Sequence, residues 1–230
     1  MSDKKISIAI DGPASSGKTT IAKILSKNLG FYYLNTGAIY RAVGLYFFEN
    51  NLDPTDEKQV KDNIDDINVE IIYKNLEQLT YVNGLDVTSQ INKDFSSDYA
   101  SKISSHPIVR KKLIKIQRNV AKNFNIIAEG RDIGTNILPD ADIKIFLTAS
   151  LDIRAERRYK QHLDYYNEKK LNIDNVLKDV ENRDVRDTTR KLSPLIAAKD
   201  AILIDNSNKS IEEVSSIILD LLKKKGICKK

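Results

Sequence analysis

Apolar residues recur along the 230-residue chain in two alternating rhythms. Short β-branched runs alternate with stretches whose apolar positions return every three or four residues, the patterns of buried strands and amphipathic helices. Ile6-Ser7-Ile8-Ala9-Ile10 reads as a buried strand ended by the turn residues Asp11-Gly12-Pro13. Ile21, Leu25 and Leu29 then share one helical face, with Gly30 predicted as the stop. Residues 31–34 predict a second strand and residues 38–48 a second helix. Strand, helix, strand and helix in immediate succession predict a parallel sheet with right-handed crossovers. Residues 126–128, 143–147 and 201–204 extend that sheet. Residues 211–225 predict a last helix, with Val214, Ile217, Ile218, Leu221 and Leu222 on its apolar side.

Between residues 51 and 105 the rhythm changes. Residues 69–73 and 79–82 look like short strands, and Asn83-Gly84 is a hairpin turn signal. This stretch predicts a small β-containing insert, followed by a basic helix over residues 107–122. Residues 150–190 are densely charged and predict two exposed helices around a joint at residues 167–172.

Composition narrows the class. Apolar residues make up 41% and charged residues 30%, ordinary for a globular chain with a real core. The length fits one large domain, or one domain carrying an insert. Lys and Arg exceed Asp and Glu by 37 to 32, a net +5 that suits an anionic substrate but is too small to argue nucleic-acid binding. Cys228 is the sole cysteine, which excludes a disulfide framework and suggests a reducing compartment. No apolar run reaches the roughly 18 residues a bilayer span needs. Met1-Ser2-Asp3-Lys4-Lys5 leads directly into a strand, so no cleavable signal is expected and a cytoplasmic location is.

Gly12-Pro13-Ala14-Ser15-Ser16-Gly17-Lys18-Thr19 matches the G-x-x-x-x-G-K-[ST] phosphate loop at every fixed position, between a predicted strand and a predicted helix. The glycines let backbone N–H groups turn inward around phosphate oxygens, and the helix start adds its positive dipole end. Lys18 is expected at the β- and γ-phosphates, Thr19 on Mg²⁺, and Thr20 beside them. A nucleoside triphosphate site follows.

The loop alone does not separate kinases from GTPases or motor ATPases. An Asn-Lys-x-Asp guanine motif is absent, and Ile126-Ile127-Ala128-Glu129 is only a weak version of a motor's apolar strand ending in an acid. Arg41, Arg110, Arg131, Arg154, Arg157, Arg158, Arg183, Arg186 and Arg190 lie in segments that a parallel fold gathers at the carboxyl edge of its sheet. Transfer between two anions needs such fixed cations. A small-molecule kinase acting on another acceptor (UMP, AMP, shikimate) and a nucleotide-gated RNA-binding module built on the basic helix are the competing readings. The lack of interleaved aromatics in that helix speaks against the second.

Beyond the phosphate loop, Leu34-Asn35-Thr36-Gly37-Ala38-Ile39-Tyr40-Arg41, Ser101 to Arg110, Gly130-Arg131-Asp132-Ile133-Gly134-Thr135, Leu138-Pro139-Asp140-Ala141 and Arg183-Asp184-x-Arg186-Asp187 closely resemble the bacterial cytidylate kinases. The likeness covers essentially the whole chain. It implies an α/β fold with a P-loop NTPase-type parallel core flanked by helices (residues 1–50 and 106–230). A small β-containing NMP-binding insert (about 51–105) and a short helical lid (about 154–173) complete the single domain. It also implies ATP and CMP or dCMP as substrates, Mg²⁺ bound with ATP, no nucleic acid or membrane, and a monomer. By the same resemblance Tyr40, Arg41, Arg131 and Arg190, with Thr36, hold the phosphate or sugar of CMP, and Ser101, Arg110 and Asp132 read cytosine. Arg183, Arg186 and Asp187 line the ribose and the transferring phosphate, and Lys18, Arg131, Arg183, Arg186 and Arg190 carry catalysis. Cytosine chemistry favours Asp132 independently, because its N4 amino group donates where uracil has an acceptor oxygen. The chain departs from the family pattern at Ser15, Asn35 and Asn136.

Overall fold

The computed structural model describes residues 4–92, 94–166 and 172–228. The chain opens with β1 (Ser7–Asp11), α1 (Lys18–Leu29), β2 (Tyr32–Asn35) and α2 (Thr36–Glu49). The insert holds α3 (Glu57–Asn63), β3 (Val69–Lys74), β4 (Glu77–Val82), β5 (Leu85–Asp86) and α4 (Asp94–Ile103). Then come α5 (Pro107–Asn123), β6 (Ile126–Gly130), β7 (Ile143–Thr148), α6 (Leu151–Tyr166), α7 (Ile173–Thr189), β8 (Ile202–Asp205) and α8 (Ile211–Lys224).

Five strands form one parallel sheet in the order β2-β6-β1-β7-β8. Ile8, Ala9 and Ile10 of the central strand are fully buried, as strands covered on both faces must be. Their side chains alternate between two cores. Ala9, Ala128 and Leu34 face the layer of α2 and α5, while Ile8, Ile10, Ile127 and Tyr33 face the layer of α1 and α8. From β1 the chain winds first to one side of the sheet and later to the other. The carboxyl end of β1 is therefore the point where the strand order reverses, the place such sheets leave a crevice. No helix among the described residues is long and apolar enough to cross a membrane.

The insert is richer than its sequence suggested. A three-stranded antiparallel sheet is present, but α3 and α4 accompany it, and α4 packs against α2. Close contact requires Gly44, where a Cβ would stand 2.9 Å from Tyr99. Asn83-Gly84 joins β4 to the very short β5. The main hairpin turns instead on Asn75-Leu76, both at positive φ (52° and 66°), with the Leu76 carbonyl accepting from Tyr33 N at 3.2 Å. A tertiary contact thus holds a turn conformation that leucine disfavours. Of the joint expected at residues 167–172, residues 167–171 lie outside the described residues. Asn172 caps α7, its side chain accepting from Asp174 N at 2.8 Å.

Candidate active site

The loop between β1 and α1 is shaped by steric necessity. At Gly12 (φ +151°) a Cβ would stand 2.0 Å from the Leu147 carbonyl oxygen, so no side chain fits. Gly17, at φ 89°, precedes the first turn of α1, and Ser15 takes the left-handed region at φ 58°. The Pro13 carbonyl accepts from Lys18 Nζ at 2.6 Å, and Ser16 Oγ receives the same amine at 3.2 Å. Burial and the neighbouring Arg131 hold the Lys18 ammonium well below its usual range, so a bound anion would favour its charged form. Asn206, just after β8, donates to the Ser16 carbonyl at 2.8 Å and braces the loop from the far side.

Glu129, at the end of β6, is the acid of this site. Thr19 Oγ1 donates to Glu129 Oε1 at 2.8 Å, the Tyr33 hydroxyl donates to the same oxygen, and Thr36 Oγ1 donates to the Glu129 carbonyl at 2.8 Å. Burial, with Glu129 beside it, pushes the Tyr33 hydroxyl well above its usual range, which keeps it a donor. No cluster of three or more His, Cys, Asp or Glu able to hold a metal occurs among the described residues. The Thr19 hydroxyl and Glu129 carboxylate are hard oxygen donors of the kind Mg²⁺ takes when phosphates supply most of its other ligands, so the donor set fits that ion.

From this loop a cleft of about 990 Å³ runs across the carboxyl ends of the strands. Arg41, Arg131, Arg158 and Arg183 line its middle. Among the described residues, Nε of Arg41 and Nε of Arg183 are buried without a hydrogen-bond partner, and burial together with Arg131 lowers the Arg183 guanidinium to about 9. Against these cations stands Asp187, accepting from Arg131 Nε at 2.8 Å. Burial raises its carboxyl, but Arg131 and Arg183 outweigh that and hold it below the usual carboxylate range. The excess is positive, as a site for several phosphates requires.

At the far end, Arg110 Nη2 donates to Asp132 Oδ2, and Arg110 Nη1 to the Ser104 carbonyl at 3.3 Å. The same guanidinium lies 5.6 Å from the centre of the Tyr40 ring. Ser101 of α4 lines this end. Arg190 Nη2 stands 3.7 Å from Asp132 Oδ1.

Most predicted residues therefore share one cleft: Ala14 to Thr20, Thr36, Tyr40, Arg41, Ser101, Arg110, Arg131, Asp132, Arg183, Asp187 and Arg190. Gly12 and Pro13 give the loop its shape rather than a wall. Arg186 is set apart, nearly half exposed and paired with Asp98 of α4 at 3.0 Å. Arg154 is engaged structurally, in an ion pair with Asp184 and bonded to the Ala14 carbonyl at 3.3 Å. Tyr33, Glu129 and Asn206 were not singled out as site residues. Only the acid ending an apolar strand pointed to Glu129. Two departures find a role here: Asn35 caps α2 by accepting from Ala38 N at 3.0 Å, and Asn136 bonds Asp132.

The comparisons with known proteins agree. A cytidylate kinase family model matches residues 8–224. A cytidylate kinase of Caldicellulosiruptor saccharolyticus is 44% identical over 96% of this chain and 97% of its own. Another, of Thermosipho melanesiensis, is 47% identical over 95% and 97%. A solved structure of an uncharacterized protein from Eubacterium ventriosum shares the fold at a TM-score of 0.51 and 13% identity, covering 96% of this chain and 99% of that one. With its phosphate loop, its arginine-lined cleft and these full-length matches, the chain belongs to the cytidylate kinase family.

Proposed function

We propose that the chain transfers the γ-phosphoryl group of ATP to CMP, and also to dCMP, giving ADP and the nucleoside diphosphate in the cytoplasm. The observation that carries this reading is the continuity of the cleft. It begins at a phosphate loop, passes an excess of arginines, and ends at a buried carboxylate–guanidinium pair suited to a base that both donates and accepts. In this reading the loop amides and Lys18 hold the ATP phosphates, and Arg41, Arg131 and Arg183 gather the acceptor phosphate and the migrating group. Asp187 fixes Arg131 beside the ribose, and Arg190 holds the phosphate or sugar of CMP. Ser101, Arg110 and Asp132 read cytosine, Asp132 accepting from the N4 amino group. Arg186 acts from the rim.

The acceptor phosphate is already a competent nucleophile, so direct in-line transfer needs positioning and charge neutralisation rather than a covalent intermediate or a strong base. Mg²⁺, held through Thr19 with Glu129 behind it, would neutralise phosphate charge. Closure of a lid of about residues 154–173 over the cleft excludes water that would otherwise hydrolyse ATP. A nucleic-acid reading is disfavoured by α5 itself, because Arg110, Lys112 and Arg118 are bonded within the chain. An ADP-release assay across CMP, dCMP, UMP, AMP and shikimate tests the proposal. CMP and dCMP should lead, and equal or greater turnover of AMP or shikimate would overturn it.

A further inference from the structure

Asn136 lies four residues beyond Asp132, in the single wide helical turn Ile133–Ile137. Its amide nitrogen donates twice, to Asp132 Oδ2 at 3.0 Å and to Ser193 Oγ at 2.9 Å. The amide orientation follows from chemistry, since an ionised carboxylate oxygen can only accept. Ser193 sits beyond α7 at φ 49°, and its carbonyl accepts from Arg190 Nε at 2.7 Å. Arg190 in turn approaches the other carboxylate oxygen, Asp132 Oδ1, at 3.7 Å. Asp132, Asn136, Ser193 and Arg190 thus close a ring that meets the cleft at Asp132 and Arg190.

The ring treats the two carboxylate oxygens differently. Oδ2 accepts from both Arg110 and Asn136, donors that reach it from α5 and from the turn. Oδ1 has no hydrogen bond from a protein group among the described residues, only Arg190 beyond bonding distance. Two donors on one oxygen fix the plane of the carboxylate and leave the other oxygen to a ligand. The Asn136 side chain is not what holds the turn, because its backbone is tied separately. Arg118 donates to the Asn136 carbonyl at 2.8 Å and to the Ile137 carbonyl at 3.0 Å.

We propose that Asn136 is a positioning residue for base recognition: with Ser193 it orients Asp132 so that Oδ1 faces the acceptor base, and so sets the preference for CMP over UMP. The proposal rests on the reading that Asp132 meets the base. Asn136→Leu removes the amide at nearly constant size, and Ser193→Ala removes the second anchor with little change in bulk. Steady-state kinetics on CMP, UMP and ATP are compared for both variants, for Asp132→Ala, and for Asn136→Leu combined with Asp132→Ala. Asn136→Leu should raise the KM for CMP about tenfold, change the KM for ATP by less than about twofold, and narrow the CMP-over-UMP ratio of kcat/KM by at least about fivefold. Ser193→Ala should shift the ratio the same way and less, and carries the test if Asn136→Leu fails to fold. In the Asp132→Ala background, loss of Asn136 should move the ratio no further, because the two act as a unit. A ratio narrowed by Asp132→Ala but untouched by either anchor variant overturns the role of Asn136 and leaves the base reading standing. If Asp132→Ala itself leaves the ratio unmoved, the base reading fails and this proposal falls with it.

Discussion

Arg110 and Asp132 form an ion pair at the end of the cleft with side chains only 9% and 6% exposed. Each satisfies the other in surroundings where a lone charge is costly. In the proposed function they present a fixed donor and a fixed acceptor to the base. Asp132→Ala should damage CMP phosphorylation much more than UMP phosphorylation, narrowing their kcat/KM ratio by at least about tenfold, since uracil places an acceptor oxygen where cytosine donates. Asp132→Asn, able to donate, should narrow it as well. Parallel losses on both substrates would make Asp132 a structural residue.

Lys18 is buried inside the loop it serves, its amine held by the Pro13 carbonyl and Ser16. In the proposed reaction its charge is needed as negative charge moves off the γ-phosphate. Lys18→Met should leave circular dichroism unchanged and lower turnover by about 10³-fold or more. Turnover within about tenfold of wild type would remove Lys18 from the chemistry.

What could be read in the chain and what could not divides by sequence distance. The phosphate loop is contiguous, and its glycine requirements are local, so its form was legible down to Gly12 and Gly17. The parallel core was legible because strands buried on both faces are continuous apolar runs. Glu129 meets Thr19 across 110 residues, and Asn206 reaches Ser16 across 190; only the folded sheet edge creates those pairings. Helix α4 was hidden because its sequence is mostly polar and its partner surface on α2 needs Gly44 and Tyr99 to meet. Arg186 was expected at the site from the motif it shares with Arg183 and Asp187, and one helical step turns it outward to Asp98. Ser101, Arg110 and Asp132 were assigned to the base by resemblance and, for Asp132, by cytosine chemistry, and the structure brings all three to the same cleft.

Glu129 connects the Thr19 hydroxyl, proposed to hold Mg²⁺, to the buried Tyr33. Glu129→Gln keeps the shape but removes the charge, and puts an amide that cannot accept at one of the two oxygens Thr19 reaches, Oε1 at 2.8 Å and Oε2 at 3.0 Å. Turnover should fall by about 10²-fold, and the Mg²⁺ concentration for half-maximal rate should rise. Tyr33→Phe, which removes one donor to Glu129, should show the same trend more weakly. A Glu129→Gln enzyme with an unaltered Mg²⁺ requirement would place the acid outside the metal's surroundings.

Asp11 links the first strand to the turn that carries Asp132. Its two carboxylate oxygens accept from Ile133 N and Gly134 N, each at 2.8 Å. Those bonds favour the ionised form, but burial opposes them and prevails, raising the carboxyl from 3.8 to about 6. The sign of the consequence follows from linkage. A carboxyl whose folded value lies above its unfolded value binds a proton on folding, so its contribution is fully present below pH 3.8 and is lost as pH rises through about 6. At about 1.36 kcal/mol per pH unit the loss amounts to about 3 kcal/mol, with no further change above that window. Asp11→Asn cannot ionise and lacks this dependence. Urea unfolding of both proteins at pH 4, 5, 6 and 7 should therefore show wild-type stability falling relative to the variant up to about pH 6, then running parallel to it. A wild-type advantage that grows with pH over this range would mean that the two N–H bonds outweigh burial, and that the anion itself holds the turn.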